Sequence, residues 1–329
     1  MTIWLYIGFI VVVLGLLAFD LGVLNRRAHV VSVREAALWM LMWVSLALGF
    51  NVAVYFMYEH HWLGIGQSIG ESLNGSDAAL KFFTGYLIEE SLSLDNMFVI
   101  ALIFTYFAVP AMYQHRVLYW GILGAIVMRG AMIGAGTVLI RQFSWMIYVF
   151  GAILLLTAVK LLMTRSDNIE PERNPLVRLA RRFYPVSAGF EREKFFTRVN
   201  GRRAVTPLFL VLLVVESTDL LFAVDSIPAI FAVTQDPFLI FTSNVFAILG
   251  LRSLYFVLAA VMNLFRYLKS SLVFVLAFVG VKMLLQHHYP IPTAFSLSVV
   301  AAILAVGVVA SLWAGRRKAA HAAAPADPE

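Results

Sequence analysis

The 329-residue chain contains no cysteine. Disulfides, thiolate metal sites and CxxC redox chemistry are excluded together. Charge is scarce as well: Asp, Glu, Lys and Arg make up 13% of residues, against about 25% in an ordinary soluble domain. The sequence pI is near 9.6, yet a nucleic-acid partner is not expected. The cations lie in segments beside long apolar runs, where the positive-inside rule accounts for them. The N-terminus has no basic region before its apolar stretch and no small-residue cleavage site after it. It is expected to remain as a first helix, not to leave as a signal peptide. Histidine is absent from the middle of every apolar run. Phosphate loops, nucleophile elbows and His-rich metal clusters are also absent, which argues against an enzyme.

What is abundant is apolar: 61% of the chain, in runs long enough to cross a bilayer. The pattern predicts an all-α polytopic membrane protein of about nine transmembrane helices. These spans cover 2–24, 34–57, 81–108, 116–140, 143–163, 206–233, 239–263, 267–286 and 293–314. The first two occupy 1–57. Residues 164–205 form a basic loop, expected to be a connector with a short surface helix resting on anionic lipid. The Ala/Pro-rich tail at 315–329 is expected to be disordered. Nineteen of the 25 Lys and Arg fall on one side of this arrangement, and only Lys81 and Arg141 on the other. The rule then predicts an outside N-terminus and a cytoplasmic C-terminus. His60 and His61, like His287 and His288, fall in outer loops and read as solvated residues rather than ligands.

One stretch does not suit a membrane helix. Glu216-Ser217-Thr218-Asp219-Leu220-Leu221-Phe222-Ala223-Val224-Asp225-Ser226-Ile227-Pro228 carries three carboxylates inside an apolar run. Each costs roughly 2.5 to 3.5 kcal/mol at the bilayer centre on insertion scales. It has an upstream relative in Glu89-Glu90-Ser91-Leu92-Ser93-Leu94-Asp95-Asn96-Met97-Phe98. Both hold Ser-x-Asp-x-x-Phe, at Ser93, Asp95 and Phe98 and at Ser217, Asp219 and Phe222, offset by 124. Arg129 and Arg252 follow at an offset of 123, and Lys160 and Lys282 at 122. Spans three to five (81–163) thus repeat as spans six to eight (206–286), and the two sets enter the membrane from opposite faces. This is an inverted-topology repeat, a construction common in secondary transporters.

Seven acids fall within the spans: Asp20, Glu89, Glu90, Asp95, Glu216, Asp219 and Asp225. They face four bases: Arg129, Lys160, Arg252 and Lys282. The arginines can each hold one carboxylate, and the lysines can snorkel. The surplus acid must be protonated, hydrated or bound to a cation. Pro228 denies a hydrogen bond to the Val224 carbonyl and is expected to bend or break its span beside Asp225. The candidate metal ligands are Glu90, Asp95, Asn96, Glu216, Asp219 and Asp225. Asp20, Glu89, Ser93, Arg129 and Arg252 are accessory. An all-oxygen set suits Mg, Ca or Mn.

The two motifs, with Phe19-Asp20-Leu21 and Arg252, resemble the TerC family of integral membrane proteins, most closely its Alx-like branch. The resemblance covers the first span to about residue 290. It implies export of a divalent cation, chiefly Mn²⁺, from the cytoplasm of a bacterial-type cell across the inner membrane, with links to alkaline pH and redox stress. Mn²⁺ is then a transported substrate, and no permanently bound cofactor is expected. The partners are the lipid bilayer, the metal ion and protons as a coupling ion, since crowded buried carboxylates take up protons. Two alternatives remain: a non-transporting scaffold acting through the 164–205 loop, and an oxyanion transporter. The acid surplus disfavours the second.

Overall fold

A computed structural model describes residues 2–19, 31–66, 71–163, 174–199, 201–261, 268–285, 289 and 291–322. Long apolar stretches form helices because only an internally hydrogen-bonded backbone suits a nonpolar environment. They are α1 (Thr2–Phe19), α2 (Val33–Glu59), α3 (Gly75–Tyr106), α4 (Ala111–Gln142) and α5 (Met146–Met163). After α6 (Pro175–Phe183) and a hairpin of β1 (Phe196–Val199) and β2 (Arg202–Val205) come the rest. These are α7 (Pro207–Phe231), α8 (Pro237–Val261), α9 (Leu268–Leu285) and α10 (Thr293–Ala322). Among the described residues, six helices are long and apolar enough to cross a membrane: α2, α4, α5, α7, α8 and α10. The apolar parts of α1 and α9 are shorter, and α3 is 32 residues long with Glu89, Glu90 and Asp95 in its middle. The protein is therefore a mostly helical polytopic membrane protein with a short β-hairpin.

Several helix starts are capped by side chains. Asn74 Oδ1 accepts from the Asp77 N–H at 2.7 Å, starting α3. Asp236 starts α8, accepting from the Phe238 and Leu239 N–H groups at 2.9 and 3.3 Å. Its other oxygen accepts the Tyr58 hydroxyl at 2.7 Å, tying α2 to the α7–α8 turn. Burial pushes the Asp236 carboxyl above the usual aspartate range, against the opposing pull of the Tyr58 hydroxyl.

Helices pack mainly across the two halves of the chain: α3 lies on α8, α4 on α7 and α5 on α9, while α2 covers α3 and α8. Small residues permit the close approaches. A methyl on Gly151 would sit 3.1 Å from the Gly280 carbonyl oxygen, and one on Gly280 would sit 3.1 Å from that of Gly151. Leu155 also reaches Gly280, and Leu284 reaches Gly151, so α5 and α9 cross antiparallel. Elsewhere the contact is aromatic. Phe9, Phe50, Phe82 and Phe246 stack across α1, α2, α3 and α8, with Phe50 and Phe246 centroids 4.8 Å apart.

Two expectations change here. From Asn174 onward, the basic segment is a packed element and not a plain connector. Val177 of α6 and Ala204 and Val205 of β2 are buried, and Arg116 of α4 pairs with Glu193 at 3.0 Å. The Arg116 guanidinium also lies 5.3 Å from the Phe195 ring centre. The reason is the alternation of apolar with basic residues, which gives α6 one face for the bundle and one for water. Asn174 caps α6 at 2.9 Å and donates its amide to Ser217 Oγ of α7 at 2.6 Å. Second, Pro228 does not break α7, which stays helical to Phe231. It falls in the last turn, so the hydrogen bond it withholds from the Val224 carbonyl affects only the end of the helix.

Candidate ion site in the helix bundle

The site is built around Arg129, 1% exposed in the middle of α4. Its Nε and Nη2 donate to the two Asp219 oxygens at 3.2 and 2.8 Å, a bidentate fork. Nη1 binds the Glu89 carboxylate of α3 and reaches Ser226 Oγ at 3.2 Å. Helical periodicity explains the convergence. Glu216, Asp219 and Ser226 recur at i, i+3 and i+10, one stripe of α7, and that stripe faces α4. Glu89, Ser93 and Asn96 form the matching stripe of α3. One guanidinium thus pairs with two carboxylates from two helices, leaving a formal charge of −1 if both are ionised.

The other acids go elsewhere. Glu216 is half-buried, and its carboxylate lies directly on the backbone of Gly124, where no larger residue would leave it room. Asp225, one position off the α7 stripe, turns to α5 and accepts the Thr157 hydroxyl at 2.7 Å. Glu90 faces α8, its oxygens 3.8 Å from where a Gly250 Cβ would be. None of these three makes an ion pair among the described residues. Glu89 Oε2, Glu90 Oε2, Ser93 Oγ and the Asn96 amide nitrogen are buried without a hydrogen-bond partner there. Asn96, Asp225, Ser226 and Thr157 meet at a cavity of about 60 Å³, walled otherwise by Leu92, Leu161, Phe222 and α9 leucines. That is room for one or two species of water size, at about 30 Å³ each.

Of the five acids expected at one site, the four with described side chains are divided among several neighbours. Among the described residues no three His, Asp or Glu side chains are placed to share a metal. The cause is the helix itself: Asp219 and Asp225 on one helix point to different neighbours, and Arg129 captures Asp219. Glu89, taken as accessory, is instead a principal partner of the arginine. Thr157 was not anticipated, and a lone threonine in an apolar helix gives no signal that could have found it. Arg252 is buried in α8, 6% exposed. Asp20, His287, His288 and the Asp95 side chain lie outside the described residues. His61 Nδ1 lies 3.1 Å from the Ile65 carbonyl oxygen, occupied locally.

A helical membrane bundle with a buried guanidinium, several mid-helix carboxylates and a small polar cavity defines an integral membrane protein with an intramembrane polar site. The comparisons narrow this. The Integral membrane protein TerC family matches residues 74–319, and the chain belongs to that family. An uncharacterized membrane protein of Myxococcus xanthus is 50% identical over 312 residues, 95% of this chain and 93% of that protein. A protein of Escherichia coli K12 with the provisional name membrane-bound redox modulator Alx is 48% identical over 311 residues, 94% of each chain. Its counterpart in Salmonella typhi is 48% identical over 312 residues, again 94% of each. No solved structure matches.

Proposed function

We propose that this chain is a secondary transporter that exports a divalent cation, Mn²⁺ first, from the cytoplasm. The observation that carries this reading is the meeting of Asn96 and Asp225, one from each repeated motif, at a cavity of about 60 Å³. Its donors are one carboxylate, one amide and the hydroxyls of Thr157 and Ser226. Such a hard, all-oxygen set suits Mn²⁺ or Mg²⁺ over zinc or copper. Glu216 and Glu90 serve as approach sites, with Asp95 and Asp20 as further ligands from the family resemblance. Arg129 and Asp219 form the fixed pair against which the pathway moves. Protons taken up by the unpaired carboxylates supply coupling.

The nine-span topology and the inverted repeat belong to this proposal. The packing supports a two-fold relation: exchanging the halves turns the α3–α8 contact into α7–α4 and returns α5–α9 to itself. The loop charges support an outside N-terminus.

Mn²⁺ uptake into inside-out vesicles, with and without a pH gradient, tests the reading. Uptake by the wild type, lost in Asp225→Asn and strongly reduced in Asp95→Asn and Asp219→Asn, is the expected result. Wild-type flux in Asp225→Asn would remove the cavity from the pathway. A second reading follows from the basic concavity of about 670 Å³ lined by Tyr184, Lys194, Phe196, Arg198 and Arg203. It suits a scaffold that recruits an acidic partner. Replacing Lys194, Arg198 and Arg203 by Gln discriminates, since a scaffold loses function while a transporter keeps its flux. The redox name of the relatives fits a cysteine-free chain only through the species it moves or binds, because no thiol can exchange electrons.

A further inference from the structure

A second polar cavity lies at the ends of the helices, away from the carboxylates of α7. It has a volume of about 230 Å³ and sits between the α7–α8 turn, the start of α3, the last turn of α9 and the start of α10. Along α9, Lys282 is six residues beyond Leu276 of the central cavity, about 9 Å at 1.5 Å per residue. Among the described residues two lysines line this space, Lys81 and Lys282, with one carboxylate, Glu71.

The carboxylate is already committed. Glu71 Oε2 pairs with Lys81, and its Oε1 accepts the Gln235 N–H at 2.7 Å. Lys282 has no such arrangement. It is 6% exposed and lines the cavity, and no hydrogen bond or ion pair joins it to any described residue. A buried ammonium without a counter-charge is strongly disfavoured. Two further donors lie in a wall that otherwise includes Phe231, Ala232, Val233 and Ile291. Thr234 Oγ1 accepts the Asp236 N–H at 3.2 Å, which leaves its own proton to donate. Thr293 opens α10, where the first N–H groups have no intrahelical acceptor and the helix dipole favours negative charge.

We propose that this cavity binds a small oxyanion, with Lys282 as its principal charge and Lys81, Thr234 and the α10 N-terminus completing the donor set. The volume holds a tetrahedral phosphoryl group with a few waters. That group could arrive as free inorganic phosphate or on an anionic lipid whose headgroup lies at this level of the bilayer. The site is independent of the cation pathway and does not rest on it.

The test uses the full chain in dodecyl maltoside, with thermal unfolding read from the intrinsic fluorescence of its seven tryptophans. One arm titrates inorganic phosphate against chloride at matched ionic strength, and the other titrates phosphatidylglycerol against phosphatidylcholine. A saturable rise in Tm is expected in one arm, which identifies the source of the phosphoryl group. Lys282→Gln should weaken it about tenfold or more, the loss of one charge-assisted hydrogen bond. Lys282→Arg should retain it, and Arg141→Gln, an exposed cation at the end of α4, should leave it unchanged. Glu71→Gln removes the one carboxylate among the described lining residues and frees Lys81, so it should tighten binding. This variant keeps the test decisive even where Lys282→Gln fails to fold. Absence of saturation in both arms, equal weakening in Lys282→Gln and Arg141→Gln, or weaker binding in Glu71→Gln would each overturn the proposal.

Discussion

Gly124→Ala offers a sharp separation of packing from transport. The Glu216 carboxylate rests on the bare backbone of Gly124, and an added methyl would overlap all three of its terminal atoms. To reach ordinary contact at about 3.5 Å, the carboxylate must retreat on the order of 1 Å. It sits at the end of a flexible, half-buried side chain, so the move is cheap for the fold. We expect a stability change under about 1 kcal/mol, at the low end of overpacking costs. Function should be far more sensitive, because a misplacement of about 1 Å in a positioned group can cost about a hundredfold in rate. The companion variant is Gly121→Ala, less than a turn away, whose methyl would meet Val215 at a comfortable 3.5 Å. Mn²⁺ uptake into inside-out vesicles and thermal unfolding are measured on both. The expected outcome is Gly124→Ala folded but nearly inactive and Gly121→Ala close to wild type. If both transport normally while Glu216→Gln does not, the position of Glu216 is immaterial and the reasoning fails.

Arg129→Gln leaves the buried Glu89 and the partly buried Asp219 without their cation, and breaking a buried ion pair typically costs about 3–5 kcal/mol. Membrane yield and Tm should fall steeply and recover in part on adding Asp219→Asn; no recovery would mean that the arginine acts through something else. Thr157→Val deletes the hydrogen bond to Asp225 with little change of shape. It should slow Mn²⁺ flux at unchanged protein level, the loss being one hydrogen bond of about 1 kcal/mol, and a normal rate would separate Thr157 from the pathway. Asp236 is a pH probe outside the spans. Its folded-state carboxyl titrates above the unfolded one, so its protonation favours the fold at acid pH and that contribution is lost as pH rises. The Tm of Asp236→Asn relative to wild type should therefore climb from about pH 4 upward, and a constant gap would show that burial does not govern this group.

Much of the helical layout is legible in the sequence because the bilayer demands it: long apolar runs leave few alternatives to helices. The paired motifs likewise point to α3 and α7 as the acidic helices. Which acid meets which neighbour is not legible. Asp219 and Asp225 lie on one helix, but about 100° per residue sends one to Arg129 and the other to Thr157. Only the packing of α4 and α5 decides that, and apolar helices without a polar stripe carry little orientation signal. The docking of the described part of the basic segment, 174–199 and 201–205, onto the bundle is hard to read for a related reason. The segment's high charge suggests a solvated loop, while the few residues that dock it, Val177, Ala204 and Val205, are too sparse to register in composition.

Asn174 deserves its own consequence. Its side-chain oxygen begins α6, and its amide nitrogen holds Ser217, the residue between Glu216 and Thr218. A single side chain therefore works as a linkage rod between a basic lever and the acid-bearing helix. Arg178, Arg181 and Arg182 of α6 are thereby connected to α7 through this side chain as well as through the direct packing of α6 on α7. Asn174→Ala would remove this one linkage while leaving the side chains of the ion site and the packing of α6 in place.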